Sequence, residues 1–142
     1  MSNNKEKELS WKVWKELTST FESIEKSHSK RMLQYNLTNP QFHVLATLKS
    51  EGAMPLKDIG EKLNVTGANI TCVMDNLQKR NFARRIPSKS DRRIIKAKLT
   101  KEGEKLLNEI TPLYIDSITE ETKNLTTEEK ATLVKLLAKL RN

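Results

Sequence analysis

The sequence holds a single cysteine, Cys72, in 142 residues. That excludes an internal disulfide framework and fits a reducing compartment. No apolar run approaches the ~18–20 residues of a membrane span, and the opening MSNNKEKELSWKVWKEL lacks the apolar stretch of a signal peptide. The expectation is a cytoplasmic protein with no membrane contact. Two histidines and one cysteine give no metal-ligand spacing. Gly-rich phosphate loops and catalytic triads are absent as well, so neither an enzyme nor a cofactor is expected. Glycine and proline are scarce, at four each, and the chain is 36% hydrophobic against 31% charged. Such a composition suggests a mainly α protein whose elongated elements need a partner to cover their apolar faces.

The most informative scarcity is of acid between residues 79 and 101. Ten bases lie there: Lys79, Arg80, Arg84, Arg85, Lys89, Arg92, Arg93, Lys96, Lys98 and Lys101. Asp91 is the only carboxylate among them. The segment nets +9 within a chain of formal charge +8, so the remainder is nearly neutral. A solvated charged face normally mixes signs. A localised basic patch on a near-neutral body is the footprint of a polyanion binder.

What is present reads as an ordered series of elements. Trp11, Trp14, Leu17, Phe21, Ile24 and His28 recur at spacings of three and four, a narrow stripe on one long helix over 9–33. Thr38 and Gln41 form a capping box opening a second helix, with Pro40 tolerated in its first turn, Phe42, Leu45 and Leu48 inward and Gly52 ending it. Pro55 starts a short third helix carrying Leu56, Ile59 and Leu63, which stops at Asn64. Thr66 caps a fourth through about Arg80, with Ile70, Val73, Met74 and Leu77 on its apolar side. Ala83–Ile86 is strand-like, and Ile95, Ala97 and Leu99 alternate with Lys96 and Lys98. The turn composition of Pro87-Ser88-Lys89-Ser90-Asp91 joins them as a hairpin with a basic tip. Thr100 caps a fifth helix bearing Leu106, Leu107, Ile110, Leu113 and Tyr114, which Pro112 is expected to kink or divide. A second capping box, Thr126 to Glu129, opens a last amphipathic helix bearing Leu133, Val134, Leu136, Leu137 and Leu140. Two short helices a few residues apart, followed at once by a basic hairpin, are the element order of a winged helix-turn-helix flanked by helices at both ends.

On that reading the fourth helix turns Ala68, Thr71, Cys72, Asp75, Asn76 and Lys79 away from the core. Thr66, Gly67, Ala68, Asn69, Thr71, Cys72, Asn76 and Lys79 are the expected recognition-helix contacts. Asn69 can pair bidentately with adenine, Gly67 and Ala68 permit close approach, and the helix N-terminus favours a phosphate. Arg85, Ser88, Lys89, Asp91, Arg92 and Arg93 are the expected contacts of the wing. An arginine entering an electronegative minor groove must be held in one rotamer, and a carboxylate two residues away can hold it. Asp91 is therefore expected to orient Arg93 or Arg92, as well as to initiate the turn.

Three stretches, LKDIGEKL (56–63), ITCVMDNLQKR (70–80) and DRRIIKAKLTKEG (91–103), resemble the MarR family of bacterial transcriptional regulators. The third carries the most specific pattern, a D-x-R tip, a strand and then L-T-x-x-G. The resemblance implies a homodimer whose terminal helices, 1–36 and 112–142, intertwine as a dimerisation region. It makes 37–111 the winged helix-turn-helix that binds double-stranded DNA at a pseudo-palindromic operator, as a repressor. It also implies that Arg93 enters the minor groove, positioned by Asp91. Cys72 and Asn76 stand where many members have Arg, Asn81 replaces a common Gly, and Phe82-Ala83 replaces an aliphatic pair.

What releases the DNA stays open among three readings. The first is a small aromatic effector, for which Trp14, His28, Arg31 and His43 are candidate contacts. The second is oxidation or alkylation of Cys72, expected on the DNA-facing side of the fourth helix, near its N-terminus and the basic hairpin. The third is an architectural winged-helix protein with no effector.

Overall fold

In the computed structural model, which describes residues 2–141, helix α1 runs Ser2–Met32. It starts well before its apolar stripe does. The opening turns are built from polar helix formers with no hydrophobic period to reveal them, and Lys12 pairs with Glu8 one turn back at 2.8 Å. A 3₁₀ turn, Leu33–Tyr35, closes on Asn36 in the left-handed conformation at φ 53°. Helix α2 is Asn39–Glu51. Its capping box forms as expected: Thr38 Oγ1 accepts from the Gln41 amide at 3.3 Å, and the Thr38 amide donates to Gln41 Oε1 at 3.0 Å. Strand β1 is only Met54–Pro55. Helix α3, Leu56–Leu63, ends on Asn64 at φ 54°. Helix α4, Gly67–Lys79, is capped by Thr66, and Asn81 follows it at φ 60°. In a chain with four glycines, three asparagines thus take the left-handed positions that end helices. Among non-glycine residues Asn bears that conformation best.

Strands β2, Ala83–Pro87, and β3, Ile95–Leu99, form the hairpin, and β1 pairs with the other edge of β3 to give a three-stranded antiparallel sheet in the order β1-β3-β2. Helix α5 is Lys101–Glu121, and α6 is Thr127–Leu140. Pro112 does not divide α5. It deletes one amide donor, while the hydrogen-bond ladder on both sides keeps the helix continuous.

The chain falls into two compact units, Met1–Leu107 and Asn108–Asn142. In the first, α3 and α4 pack together, α4 lies on β2 and α2 on β3. Met32, Leu37, Val44, Leu45, Ile59, Met74, Leu77 and Ala97 are fully buried between them. Each large aliphatic contributes about 1.5–3 kcal/mol, which makes this core the platform for the helix-turn-helix and its hairpin. Asn39 is also buried, and its amide donates to Glu25 Oε1 at 2.7 Å and Ser29 Oγ at 3.0 Å, fastening the start of α2 to α1. On α1 the expected stripe is in solvent: Trp11, Trp14, Leu17 and Phe21 are all exposed. In the second unit, α6 buries none of its residues and leaves Leu133, Val134, Leu136, Leu137 and Leu140 exposed. No helix among the described residues is long and apolar enough to cross a membrane.

Candidate nucleic-acid interface

Helix α4 is two-sided because its apolar residues recur at helical spacing. Ile70, Met74 and Leu77 are buried. Thr66, Gly67, Ala68, Asn69, Thr71, Cys72, Asn76 and Lys79 are all exposed, so the structure gathers the expected recognition residues on one open face. Thr66 Oγ1 accepts from the Asn69 amide at 3.3 Å, and the Thr71 hydroxyl donates to the Gly67 carbonyl at 3.0 Å. These local bonds settle the first turn and leave the Asn69 side-chain amide exposed.

The wing tip is a closed loop. The Ser88 amide donates to the Ile94 carbonyl at 2.8 Å, and the Ile94 amide donates to the Asp91 carbonyl at 3.0 Å. Within it, Asp91 Oδ1 accepts from the Arg93 amide at 3.0 Å and from Arg93 Nε at 3.2 Å, while Oδ2 accepts from the other arm of the guanidinium at 3.3 Å. Of the two candidate arginines, Arg93 is the one held. Its side chain is nevertheless 91% exposed, so the carboxylate fixes its direction without withdrawing it. The Arg93 guanidinium and amide hold the Asp91 carboxyl below its ordinary value of 3.8. Lys89 and Arg92 are exposed beside it.

Two expected wing contacts are placed otherwise. Ser88 is only 3% exposed, and its hydroxyl pairs with that of Ser90 at 3.0 Å. It fastens the turn and does not reach outward. Arg85 is half-buried and turned onto α4: its guanidinium donates to Asp75 Oδ1 at 2.6 Å and to the Thr71 carbonyl at 3.4 Å. Its amide donates to Gln78 Oε1 at 3.1 Å. Arg85 therefore ties the wing to the recognition helix. Sequence reasoning missed the role of Arg85 because strand alternation, which turns residue 85 inward, outweighs the expectation that a charge points to solvent; that of Ser88 depends on how the turn closes.

The glycine of the L-T-x-x-G pattern also has a structural cause. Thr100 donates its hydroxyl to the Asn81 carbonyl at 2.6 Å and accepts from the Gly103 amide at 3.0 Å. A Cβ on Gly103 would lie 2.1 Å from the Phe82 carbonyl oxygen. The motif clamps the base of the wing to the turn that ends α4.

A helix-turn-helix with a hairpin bearing a carboxylate-held arginine is thus complete in one chain. The MarR family model matches residues 37–95. The HTH-type transcriptional regulator MhqR of Bacillus subtilis is 32% identical over 133 residues, spanning 94% of this chain and 92% of that protein. The chain belongs to the MarR family. It is likewise 30% identical to the HTH-type transcriptional repressor MdtR of B. subtilis over 112 residues, 74% of this chain and 72% of MdtR. Among solved structures, a mutant of MarR from E. coli complexed with operator DNA matches with a TM-score of 0.80 at 26% identity, covering 87% of this chain and 89% of that one. As a MarR-family protein, the chain is a transcriptional regulator.

The candidate effector contacts are less gathered than the exposed residues of α4 and the tip. Trp14 and His28 lie on the same unbroken helix, 14 positions and hence about 21 Å apart along its axis. Within one chain they do not share a small-molecule site. His28 is buried and Arg31 half-buried at the end of α1. His43 stacks edge-on to Phe42 with ring centroids 5.7 Å apart. His43 is exposed as a residue; partial desolvation of its ring lowers its pKa from the ordinary 6.5, Glu25 raises it, and His28 lowers it further. Cys72 is a free, exposed thiol on the open face of α4.

Proposed function

We propose that this protein binds double-stranded DNA as a homodimer and represses transcription from a pseudo-palindromic operator. In this reading α4 enters the major groove and the wing tip the flanking minor groove. Residues 37–111 form the DNA-binding domain, and residues 1–36 and 112–142 the dimerisation region. The observation that carries the reading is the exposed Arg93 guanidinium held on both nitrogen arms by Asp91, beside an open α4 face of small and polar residues. A narrow minor groove selects for a directed cation, and Asn69 near the α4 N-terminus suits a base edge. The E. coli MarR complex with operator DNA and the repressor MdtR support the DNA and the repressor parts. The unpartnered apolar faces of α1 and α6 support the dimer. Release is by a small ligand, for which Trp14, His28, Arg31 and His43 are the candidate contacts. A regulator of this kind works in the cytoplasm.

Selection from random duplexes supplies an operator for the test. Arg93→Ala is expected to weaken binding to it roughly tenfold or more, with the larger loss on sites whose wing position is A·T-rich. Equal binding by Arg93→Ala and wild type refutes the placement of the tip.

Cys72 supports a second release route, since its exposed thiol lies on the face that meets DNA. Cys72→Ser is expected to bind as the reduced protein does and to resist release by oxidants. Unchanged oxidant release in this variant removes it.

A further inference from the structure

The hairpin has an outer face that the proposed contacts do not use. Strand register sets Arg84 directly opposite Lys98 and Ile86 opposite Lys96. Alternation puts all four on the side away from Ala83 and Ala97, which are buried. Like charges placed directly across a strand pair repel and destabilise the pair, yet the hairpin is built with Arg84 against Lys98. Lys101, in the first turn of α5, adds a third cation, and with Asn81 and Thr100 these residues line a cavity of about 400 Å³. Arg84, Lys98 and Lys101 are exposed and form no ion pair among the described residues, although Glu102 lies on the rim. The cationic row continues along the strands through Lys96 to Arg92 and Arg93 at the tip.

We propose that this outer face, Arg84, Lys98 and Lys101, grips the phosphates of DNA flanking the operator, so that the bound duplex extends past the groove entered by the tip. The inference rests on the DNA reading above. A polyanion supplies the counter-charge that the opposed pair lacks. Five strand residues span about 17 Å, so the row carries positive charge from the tip to the base of the hairpin. Continuity with the tip favours DNA over an acidic protein as the occupant.

The test compares a selected operator in two duplexes, one ending at the wing-contacted groove and one longer by a full turn, about 10 bp, on each side. Wild type is expected to bind the longer duplex more tightly at low salt. Its log–log salt slope should steepen by about 0.9 for each added phosphate neutralised. The triple variant R84Q/K98Q/K101Q is expected to bind both duplexes with one affinity and one slope. It should melt no lower than wild type, because it relieves the Arg84–Lys98 repulsion. Equal wild-type binding to the two lengths, or a triple variant that keeps the gain, overturns the proposal and leaves the patch to an acidic partner. Absence of wild-type binding to either duplex refutes the DNA reading itself, a different result from loss of the length dependence alone.

Discussion

At the scale of single residues, two positions do more than their chemistry alone suggests. Asp91 is acid in a basic tip, and its carboxylate is stabilised by Arg93 in the folded state. Its pKa is therefore depressed on folding. The stabilisation is present above the ordinary value of 3.8 and is lost as pH falls through the depressed one. Titration between pH 5 and 8 is expected to leave the Arg93 tip signals unchanged by NMR, with any release occurring only below pH 4. Gly103 matters through the absence of a side chain. Gly103→Ala sets a methyl group 2.1 Å from a backbone carbonyl that no rotamer can move. It is expected to cost about 1–3 kcal/mol and to lower the melting temperature by several degrees. Unaltered melting contradicts the clamp assigned to Thr100, Asn81 and Gly103.

Among the elements, the junction of α1 and α2 is pH-sensitive by construction. His43 is exposed as a residue, yet partial desolvation of its ring lowers its pKa below the 6.5 of the unfolded chain. Between the lowered value and 6.5 the unfolded state binds more protons, so stability rises with pH there. Thermal melts are expected to fall as pH drops below 6.5, and His43→Gln should flatten that dependence. A variant as pH-dependent as wild type contradicts the assignment. The elements also show what the sequence can disclose. Helix ends were readable because Thr38, Thr66 and Thr126 accept from first-turn amides, and Asn64 and Asn81 tolerate the left-handed conformation. Strand β1 was not, since two residues, one of them proline, carry no alternation and suit only an edge. The early start of α1 lay hidden in polar turns without a period. Pro112 signals a break that the helix around it absorbs. Within the site, the exposed faces of α4 and the tip followed from spacing. The inward turn of Arg85 and the burial of Ser88 depended on which face of the hairpin packs, a tertiary fact.

The whole molecule is a basic hairpin on a near-neutral body whose terminal helices lack cover. Trp11, Trp14 and Phe21 on α1 and Val134 and Leu140 on α6 are each about 60% exposed or more, and exposed large apolar residues on a helix face mark an interaction surface. Trp14→Glu combined with Leu137→Glu is expected to sediment as a monomer and to lose operator affinity, since two half-sites need two wings. A wild-type protein that sediments as a monomer at micromolar concentration contradicts the dimer. The central claim, that the tip is a directed arginine and not a cloud of charge, turns on Asp91→Ala. The substitution raises the formal charge from +8 by one unit at the proposed point of contact, so a purely electrostatic tip must bind DNA more tightly. The held-arginine account predicts the reverse. Fluorescence anisotropy on a selected operator is expected to show Asp91→Ala binding several-fold more weakly than wild type. Tighter binding by that variant contradicts the account.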